Sequence, residues 1–185
     1  MDKIFVSAND LLIDTFHLAL SVEESGLKPD CIIGIWRGGA SISLAIQEYF
    51  SYRGVESEQH VIRTEKVGTN GSTRTVANQN SLDYLQTKLE KESSVLIVED
   101  IFASGNSADA VVSGLREKMR DNAPENIEIA SIWYKPESRN TSIEPSFYLR
   151  ATNHWVVFPH ELAGLTDSEM MIGKPEIATL VSPQI

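Results

Sequence analysis

The stretch that decides the fold is Val95-Leu-Ile-Val-Glu-Asp-Ile-Phe-Ala-Ser-Gly-Asn-Ser107, which changes character three times within a few residues. Its first part, Val95 to Val98, is apolar and mostly β-branched, which is typical of a strand buried on both faces of a parallel sheet. Two carboxylates, Glu99 and Asp100, follow where this strand is predicted to end. Parallel sheets bind ligands beyond the carboxyl ends of their strands, so the acidic pair lies where a polar ligand is expected.

The second half of the stretch predicts an anion site. The residues from Ala103 to Ser107 are small enough to expose backbone N–H groups. Apolar residues at helical spacing follow: Ala108, Val111, Val112, Leu115 and Met119. A loop that enters a helix N-terminus is a ready site for an anion such as phosphate. The same pattern also fits an ordinary strand, turn and helix, in which Asn106 or Ser107 is the N-cap and Asp109 favours the helix dipole.

A second glycine-rich loop follows another predicted strand. Cys31-Ile-Ile-Gly-Ile35 is a short apolar strand, and Arg37, Gly38 and Gly39 come after it, before a second helical pattern. Two glycines let the backbone approach a ligand closely, and the Arg37 guanidinium adds a fixed positive charge with several donors. This arrangement suits a pyrophosphate. A tight strand-to-helix turn with a solvated arginine explains these residues, taken alone, equally well.

Composition and length limit the classes of protein. With 185 residues, 42% hydrophobic and 23% charged, the chain is ordinary for a globular protein, and we expect one domain over residues 1–185. An excess of 26 acidic over 16 basic residues argues against a nucleic-acid-binding or membrane-binding surface. The single Cys31 excludes an intramolecular disulfide and a multi-cysteine metal site. No membrane-length apolar run or signal-peptide pattern is present, so we expect a cytoplasmic protein.

The first stretch resembles the ribose-diphosphate binding motif of the type I phosphoribosyltransferases. In that family a strand ends in two acidic residues, and a small loop, usually Asp-Thr-Gly-x-Thr, holds the 5-phosphate of phosphoribosyl pyrophosphate. Here the loop reads Ala103-Ser104-Gly105-Asn106-Ser107, so two hydroxyls and the glycine are kept and Ala103 replaces the acid. By the same resemblance, Arg37-Gly38-Gly39 is the pyrophosphate loop. The family often has a non-proline cis peptide at, or just before, this basic residue.

Two later elements resemble the base-binding parts of purine-specific family members. Lys135 follows the predicted strand from Ile127 to Tyr134, where those members use a lysine to hold the 6-oxygen of the base. The segment Asn153-His-Trp-Val-Val-Phe-Pro-His-Glu161 is similar to their closing Trp-Val-Val-Phe-Pro-Trp-Glu element. The resemblance assigns base stacking to Trp155, reading of the base edge to backbone groups at Val156, and a carboxylate near the metal to Glu161. From the residues alone, a solvated lysine and a core tryptophan remain alternatives.

Two segments have no firm structural assignment. Residues 66 to 81 have almost no apolar side chains, so we predict a mobile loop there, either disordered or a functional lid. The family places a mobile hood over the active site at this point. The tail from Leu162 to Ile185 extends past the usual end of these enzymes and stays unassigned. Its apolar residues suggest packing or an oligomer contact.

We therefore expect an α/β fold: a doubly wound, mainly parallel sheet with helices on both faces and a small hood, the type I phosphoribosyltransferase fold. The resemblance implies transfer of phosphoribose from phosphoribosyl pyrophosphate to a 6-oxopurine, with Mg²⁺ as cofactor. It makes Arg37, Glu99 and Asp100 catalytic, and Asp100 and Glu161 metal ligands. The alternative is a regulatory protein that binds a nucleotide or phosphoribosyl pyrophosphate with weak or no turnover, because Ala103 replaces the usual aspartate. Family members commonly pair, so we expect a homodimer or a higher homo-oligomer.

Overall fold

The computed structural model describes residues 3–69 and 72–181. The described residues form two compact units. The small unit contains the residues up to Leu11 and those from His154 onward, and the large unit is Leu12–Asn153. Whether both units act as the single domain that we expect stays a prediction.

In chain order the strands and α-helices are β1 (Lys3–Phe5), α1 (Ala8–Glu24), β2 (Cys31–Trp36), α2 (Gly39–Tyr52), β3 (Glu58–Thr69), β4 (Ser72–Ala77), α3 (Gln79–Gln86), β5 (Ser94–Phe102), α4 (Asn106–Met119), β6 (Asn126–Tyr134), β7 (Phe147–Ala151), β8 (Trp155–Val157), α5 (Asp167–Gly173) and α6 (Pro175–Val181). None of these helices is both long and apolar enough to cross a membrane.

The large unit is built on a six-stranded sheet in the order β4-β3-β2-β5-β6-β7. All neighbouring strands are parallel except β3 and β4, which form an antiparallel pair at one edge. The side chains from Val95 to Val98 are fully buried, as a central parallel strand requires. Helices flank the sheet, so the predicted α/β fold is confirmed.

The segment that we expected to be a loop is largely regular. β3 continues to Thr69 and pairs with β4 from Thr64↔Ala77 to Thr69↔Ser72. Our expectation of an irregular segment from 66 to 81 is therefore corrected for its described part, and residues 70 and 71 lie outside that part. Hairpin strands pair through their backbones, and the threonines and valines here favour extended structure without an apolar face. A role for the hairpin as a mobile lid stays a prediction.

The small unit contains the tail that the sequence left unassigned. β1 and β8 pair in parallel, with Ile4 opposite Val156. The tail forms α5 and α6, and α5 starts with a capping box in which the Thr166 and Glu169 side chains each accept a hydrogen bond from the other residue's backbone N–H. Residues 182–185 lie outside the described part of the chain.

Candidate active site

The acidic pair lies where β5 loses a neighbour. Pairing of β5 with β2 ends at Gly34↔Val98, whereas pairing with β6 continues to Phe102↔Tyr134. β5 thus extends past Glu99 and Asp100, so our prediction that the strand ends at these residues is wrong. It continues because β6 still supplies hydrogen bonds on one side. The side left by β2 is open at the acidic pair.

The loop from Arg37 to Gly39 occupies that open side. A Cβ on Gly39 would lie 2.2 Å from the Val98 carbonyl oxygen, and a Cβ on Gly38 would lie 1.8 Å from Oδ2 of Asp100. Only glycine permits so close an approach at either position. The Trp36–Arg37 peptide bond is cis, as the resemblance implied. The structure thus brings together the acidic motif and the glycine loop, which are far apart in the sequence.

Glu99 and Arg37 have few polar partners among the described residues. Oε1 of Glu99 is buried and has no hydrogen-bond partner among the described residues. Burial, with a smaller contribution from the Asp100 charge, raises the pKa of Glu99 to about 8. The Arg37 side chain is exposed, and the described residues offer it no ion pair. A protonated carboxyl that both donates and accepts, next to a carboxylate, suits vicinal hydroxyls.

The second predicted anion site is the loop that leads into α4. Gly105, with φ of +80°, is the N-cap residue, and no side chain caps the helix. The alternative in which Asn106 or Ser107 is the N-cap is therefore wrong. The Ser104 hydroxyl accepts a hydrogen bond from the Asn106 N–H at 3.3 Å, and Thr64 donates to the Ser107 hydroxyl at 3.3 Å. Since Ser107 accepts from Thr64, its own proton is available for an anion.

The segment that follows β6 holds the other side of this loop. The Lys135 N–H donates to the Phe102 carbonyl at 2.8 Å, and the Asn140 N–H donates to the Ser104 carbonyl at 3.1 Å. Ala103 is half-buried between these two backbone hydrogen bonds. The half-buried Lys135 side chain makes no ion pair within the described ranges. The backbone of the predicted base-reading lysine is thus bonded to Phe102, directly before the predicted phosphate loop, and Asn140 is bonded to the loop itself.

Trp155, the predicted stacking residue, lies in the small unit. Its side chain is 41% exposed, so the alternative of a core tryptophan is wrong. The Lys3 ammonium lies 4.4 Å from the centroid of its ring. A Cβ on Gly164 would lie 3.2 Å from the ring edge. Val156, the next residue of β8, is buried.

The predicted metal ligands differ in their surroundings. Oδ1 of Asp100 accepts a hydrogen bond from the Ile101 N–H at 2.9 Å, and Oε2 of Glu161 accepts one from the Phe158 N–H at 3.2 Å. No group of three or more histidine, cysteine or acidic side chains in the described part of the chain could hold a metal ion. Mg²⁺ is commonly bound by one or two carboxylates together with substrate phosphates. Asp100 fits that arrangement, and both ligand assignments stay predictions.

Sequence reasoning missed contacts at this site and in the small unit. Thr64 gave no signal, because a threonine inside a strand pattern does not reveal which loop its hydroxyl meets. Lys3 and Lys174 were missed because the sequence does not show which distant groups a long side chain contacts. The pair Thr166 and Glu169, by contrast, has the spacing of a capping box and was readable. A cavity of about 570 Å³ lies by Ser94, Asn126 and Phe147, at the other ends of the strands, away from this site.

Comparisons with known proteins agree with this geometry. The model of the phosphoribosyl transferase domain family matches residues 7–163. A purine phosphoribosyltransferase from Pyrococcus horikoshii Ot3 is similar at 25% identity, with a TM-score of 0.69 over 90% of this chain and 99% of that chain. The xanthine-guanine-hypoxanthine phosphoribosyltransferase of Helicobacter pylori is similar at 19% identity, with a TM-score of 0.61 over 85% and 92% of the two chains.

A hypothetical protein from Neisseria gonorrhoeae with bound ppGpp has the same fold, at 14% identity and a TM-score of 0.69, over 95% of this chain and 97% of that chain. The likenesses below 25% identity show the fold alone. A comparison with curated protein sequences finds no match. Since the family model spans most of the sequence, the chain belongs to the phosphoribosyl transferase domain family.

Proposed function

We propose that this protein transfers phosphoribose from phosphoribosyl pyrophosphate to N9 of a 6-oxopurine, giving a purine nucleotide and pyrophosphate. The observation that carries the proposal is the contact of Gly38 with the Asp100 carboxylate, which joins a cationic glycine loop to an acidic pair. The family match and the likeness to a purine phosphoribosyltransferase support it.

In the reaction the bond from C1 of the ribose to the diphosphate breaks, and a bond from C1 to N9 of the base forms. The diphosphate leaves with the bonding electrons, so negative charge develops on its oxygens. Arg37 and the loop that follows it supply a guanidinium and backbone N–H groups at the place where this charge develops. Glu99 and Asp100 hold the ribose hydroxyls. The chemistry needs alignment more than covalent help.

The loop from Ser104 to Ser107 fixes the far end of the substrate. Its hydroxyls and the N-terminal N–H groups of α4 bind the 5-phosphate. Bound Mg²⁺ would neutralise charge on the diphosphate, with Asp100 as a protein ligand. Lys135 holds the 6-oxygen of the base, and Trp155 supplies a flat surface for stacking. Loss of the N9 proton requires an acceptor, and the methyl group of Ala103 cannot serve.

A second candidate function follows from Ala103. General acid–base catalysis contributes about 10²- to 10⁴-fold to rates, so a site without that carboxylate binds better than it turns over. The candidate is a regulatory protein that binds purine nucleotides, and the similar fold of a protein with bound ppGpp supports it. Turnover separates the two functions.

The test measures pyrophosphate release with hypoxanthine, guanine and xanthine, together with calorimetric binding of inosine monophosphate. We expect Mg²⁺-dependent turnover that is slow in the wild type and rises in Ala103→Asp. Ser107→Glu should abolish both turnover and nucleotide binding, because it adds a like charge beside the phosphate. The matched control Ser113→Glu adds the same charge further along α4 and should bind normally.

Nucleotide binding without turnover, in the wild type and in Ala103→Asp alike, would favour the regulatory function. Absence of both binding and turnover would contradict both candidates. We also propose a homodimer in a cytoplasmic setting, on the family resemblance. Light scattering that shows only monomer at micromolar concentration would contradict the dimer.

A further inference from the structure

The C-terminal tail has contacts that its sequence did not reveal. The family model ends at residue 163, so α5 and α6 lie outside the matched part of the chain. Within the small unit, the tail is connected to the element from Trp155 to Glu161 in two ways. Lys174, between the two helices, contacts this element directly. Glu169 of α5 is connected to it through Lys3.

Lys174 lies between α5 and α6 and is only 7% exposed. Its ammonium donates to the backbone carbonyls of Phe158 at 2.5 Å, Pro159 at 3.0 Å and Glu161 at 2.7 Å. The three acceptors use all the donors of the ammonium. Burial lowers the pKa of Lys174, against a smaller opposing effect of the Glu161 charge. The three carbonyls of one turn therefore share one buried cation.

Burial of the Lys174 ammonium costs free energy, which suggests that its hydrogen bonds to the turn serve a purpose. An ammonium loses its hydration on burial, and a methionine fills a similar volume without that loss. The Phe158–Glu161 turn directly follows β8, and its carbonyls have no strand partner in the described part of the chain beyond Val157. Within the turn, the Glu161 N–H donates to the Phe158 carbonyl at 3.0 Å, and Lys174 adds three donors from outside it. The buried lysine thus determines the conformation of the turn rather than adding apolar packing.

The second connection reaches the Trp155 ring through Lys3. Glu169 forms an ion pair with Lys3 at 2.7 Å, and the Lys3 ammonium lies over the indole ring. The pKa of Glu169 falls to about 2, mainly because of Lys3. The ion pair holds the cation over one face of the indole, where its attraction to the ring fixes the side chain.

We infer that the tail is a positioning element for base recognition, with Lys174 as the positioning residue of the Phe158–Glu161 turn and Glu169 as that of the Trp155 ring. The nature of the occupant, a purine base, rests on the proposed function. The contacts that carry the inference all lie in the small unit, which contributes only Glu161 to the predicted metal site. The tail should therefore affect recognition of the base more strongly than binding of phosphoribosyl pyrophosphate.

The test compares Lys174→Met with the wild type in the full chain. We expect KM for the base to rise between about ten- and a hundredfold, as for a displaced recognition group, while KM for phosphoribosyl pyrophosphate rises at least about fivefold less. The matched control is Lys91→Met, at an exposed lysine of the large unit that pairs with Glu125. Equal changes in both KM values, or none, would overturn the inference.

A milder variant keeps the test decisive if Lys174→Met does not fold. Glu169→Gln removes the ion pair with Lys3 at a half-exposed position and should raise KM for the base by about two- to fivefold. An unchanged KM for the base in Glu169→Gln would overturn the role of the tail.

A second readout does not depend on turnover. The chain has three tryptophans. When Trp36 and Trp133 are both replaced by phenylalanine, tryptophan fluorescence comes from Trp155 alone. Acrylamide should quench this fluorescence more strongly in Glu169→Gln and Lys174→Met than in the parent. Unchanged quenching would overturn the inference. Stronger quenching in a protein with no purine turnover or binding would refute the proposed function and leave the positioning intact.

Discussion

Replacing Glu99 by Gln tests the electrostatics of the acidic pair. Burial and the Asp100 charge raise the pKa of Glu99 from 4.5 to about 8. At pH values between about 4.5 and about 8, the Glu99 carboxyl is ionised in the unfolded chain and protonated in the native protein. Stability is therefore fully present below about pH 4.5 and is lost as pH rises through the folded pKa of about 8. The glutamine side chain cannot ionise, so the stability of Glu99→Gln should not fall in this pH range for that reason.

The magnitude follows from linkage. Each pH unit in the window lowers the free energy of unfolding by about 1.4 kcal/mol for one retained proton. From about pH 5.5 to about pH 7.5 the wild type should lose about 2–3 kcal/mol relative to Glu99→Gln, after allowance for partial ionisation near the upper limit. A changed hydrogen bond at the new amide adds a constant offset, so the slope with pH is the informative quantity.

Urea unfolding of both proteins at several pH values, without ligand, measures this difference. The control is Glu56→Gln, at an exposed glutamate, whose stability should follow the wild type at every pH. Parallel curves for the wild type and Glu99→Gln would refute the reasoning, because they would mean that Glu99 titrates alike in the folded and unfolded chains.

Four further variants test three single contacts. Lys135→Ala should weaken binding of 6-oxopurines by about 1.5–3 kcal/mol, the value of a charged hydrogen bond, and equal loss of phosphoribosyl pyrophosphate in a titration would show a structural role instead. Gly38→Ala should lower affinity for phosphoribosyl pyrophosphate at least about tenfold, because the new methyl group meets the Asp100 carboxylate; calorimetry with unchanged affinity would contradict this. Thr64→Val should weaken nucleoside monophosphate binding by about 1 kcal/mol, whereas Thr64→Ser, which keeps the hydroxyl, should bind like the wild type. Equal affinities in the wild type and both variants would show that Thr64 does not contribute to the phosphate site.

The central strands and the positions of both glycine-containing loops could be predicted from the sequence, because their signals are local. The run from Val95 to Val98 shows burial on both faces, and the glycines mark close backbone approach. Two errors have a common cause. The end of β5 and the 66–81 segment were judged by side chains, whereas β6 and the paired hairpin backbones decide them. Backbone pairing is invisible to hydropathy.

The meeting of Gly38 with Asp100 had no sequence signal of its own. It depends on the point at which β2 stops pairing with β5, which is a property of the sheet. The reach of Lys174 to three carbonyls depends in the same way on how the tail packs in the small unit. Long side chains that contact remote backbone leave no pattern along the chain.

The central claim is that Arg37-Gly38-Gly39, the acidic pair and the Ser104–Ser107 loop form one site for phosphoribosyl pyrophosphate. Isothermal titration of the wild type with phosphoribosyl pyrophosphate and Mg²⁺ tests it most directly, with Arg37→Ala and Ser107→Glu as variants. The account predicts one site per chain in the wild type, weaker binding in Arg37→Ala and none in Ser107→Glu. Absence of binding to the wild type, or equal binding to all three proteins, would contradict it.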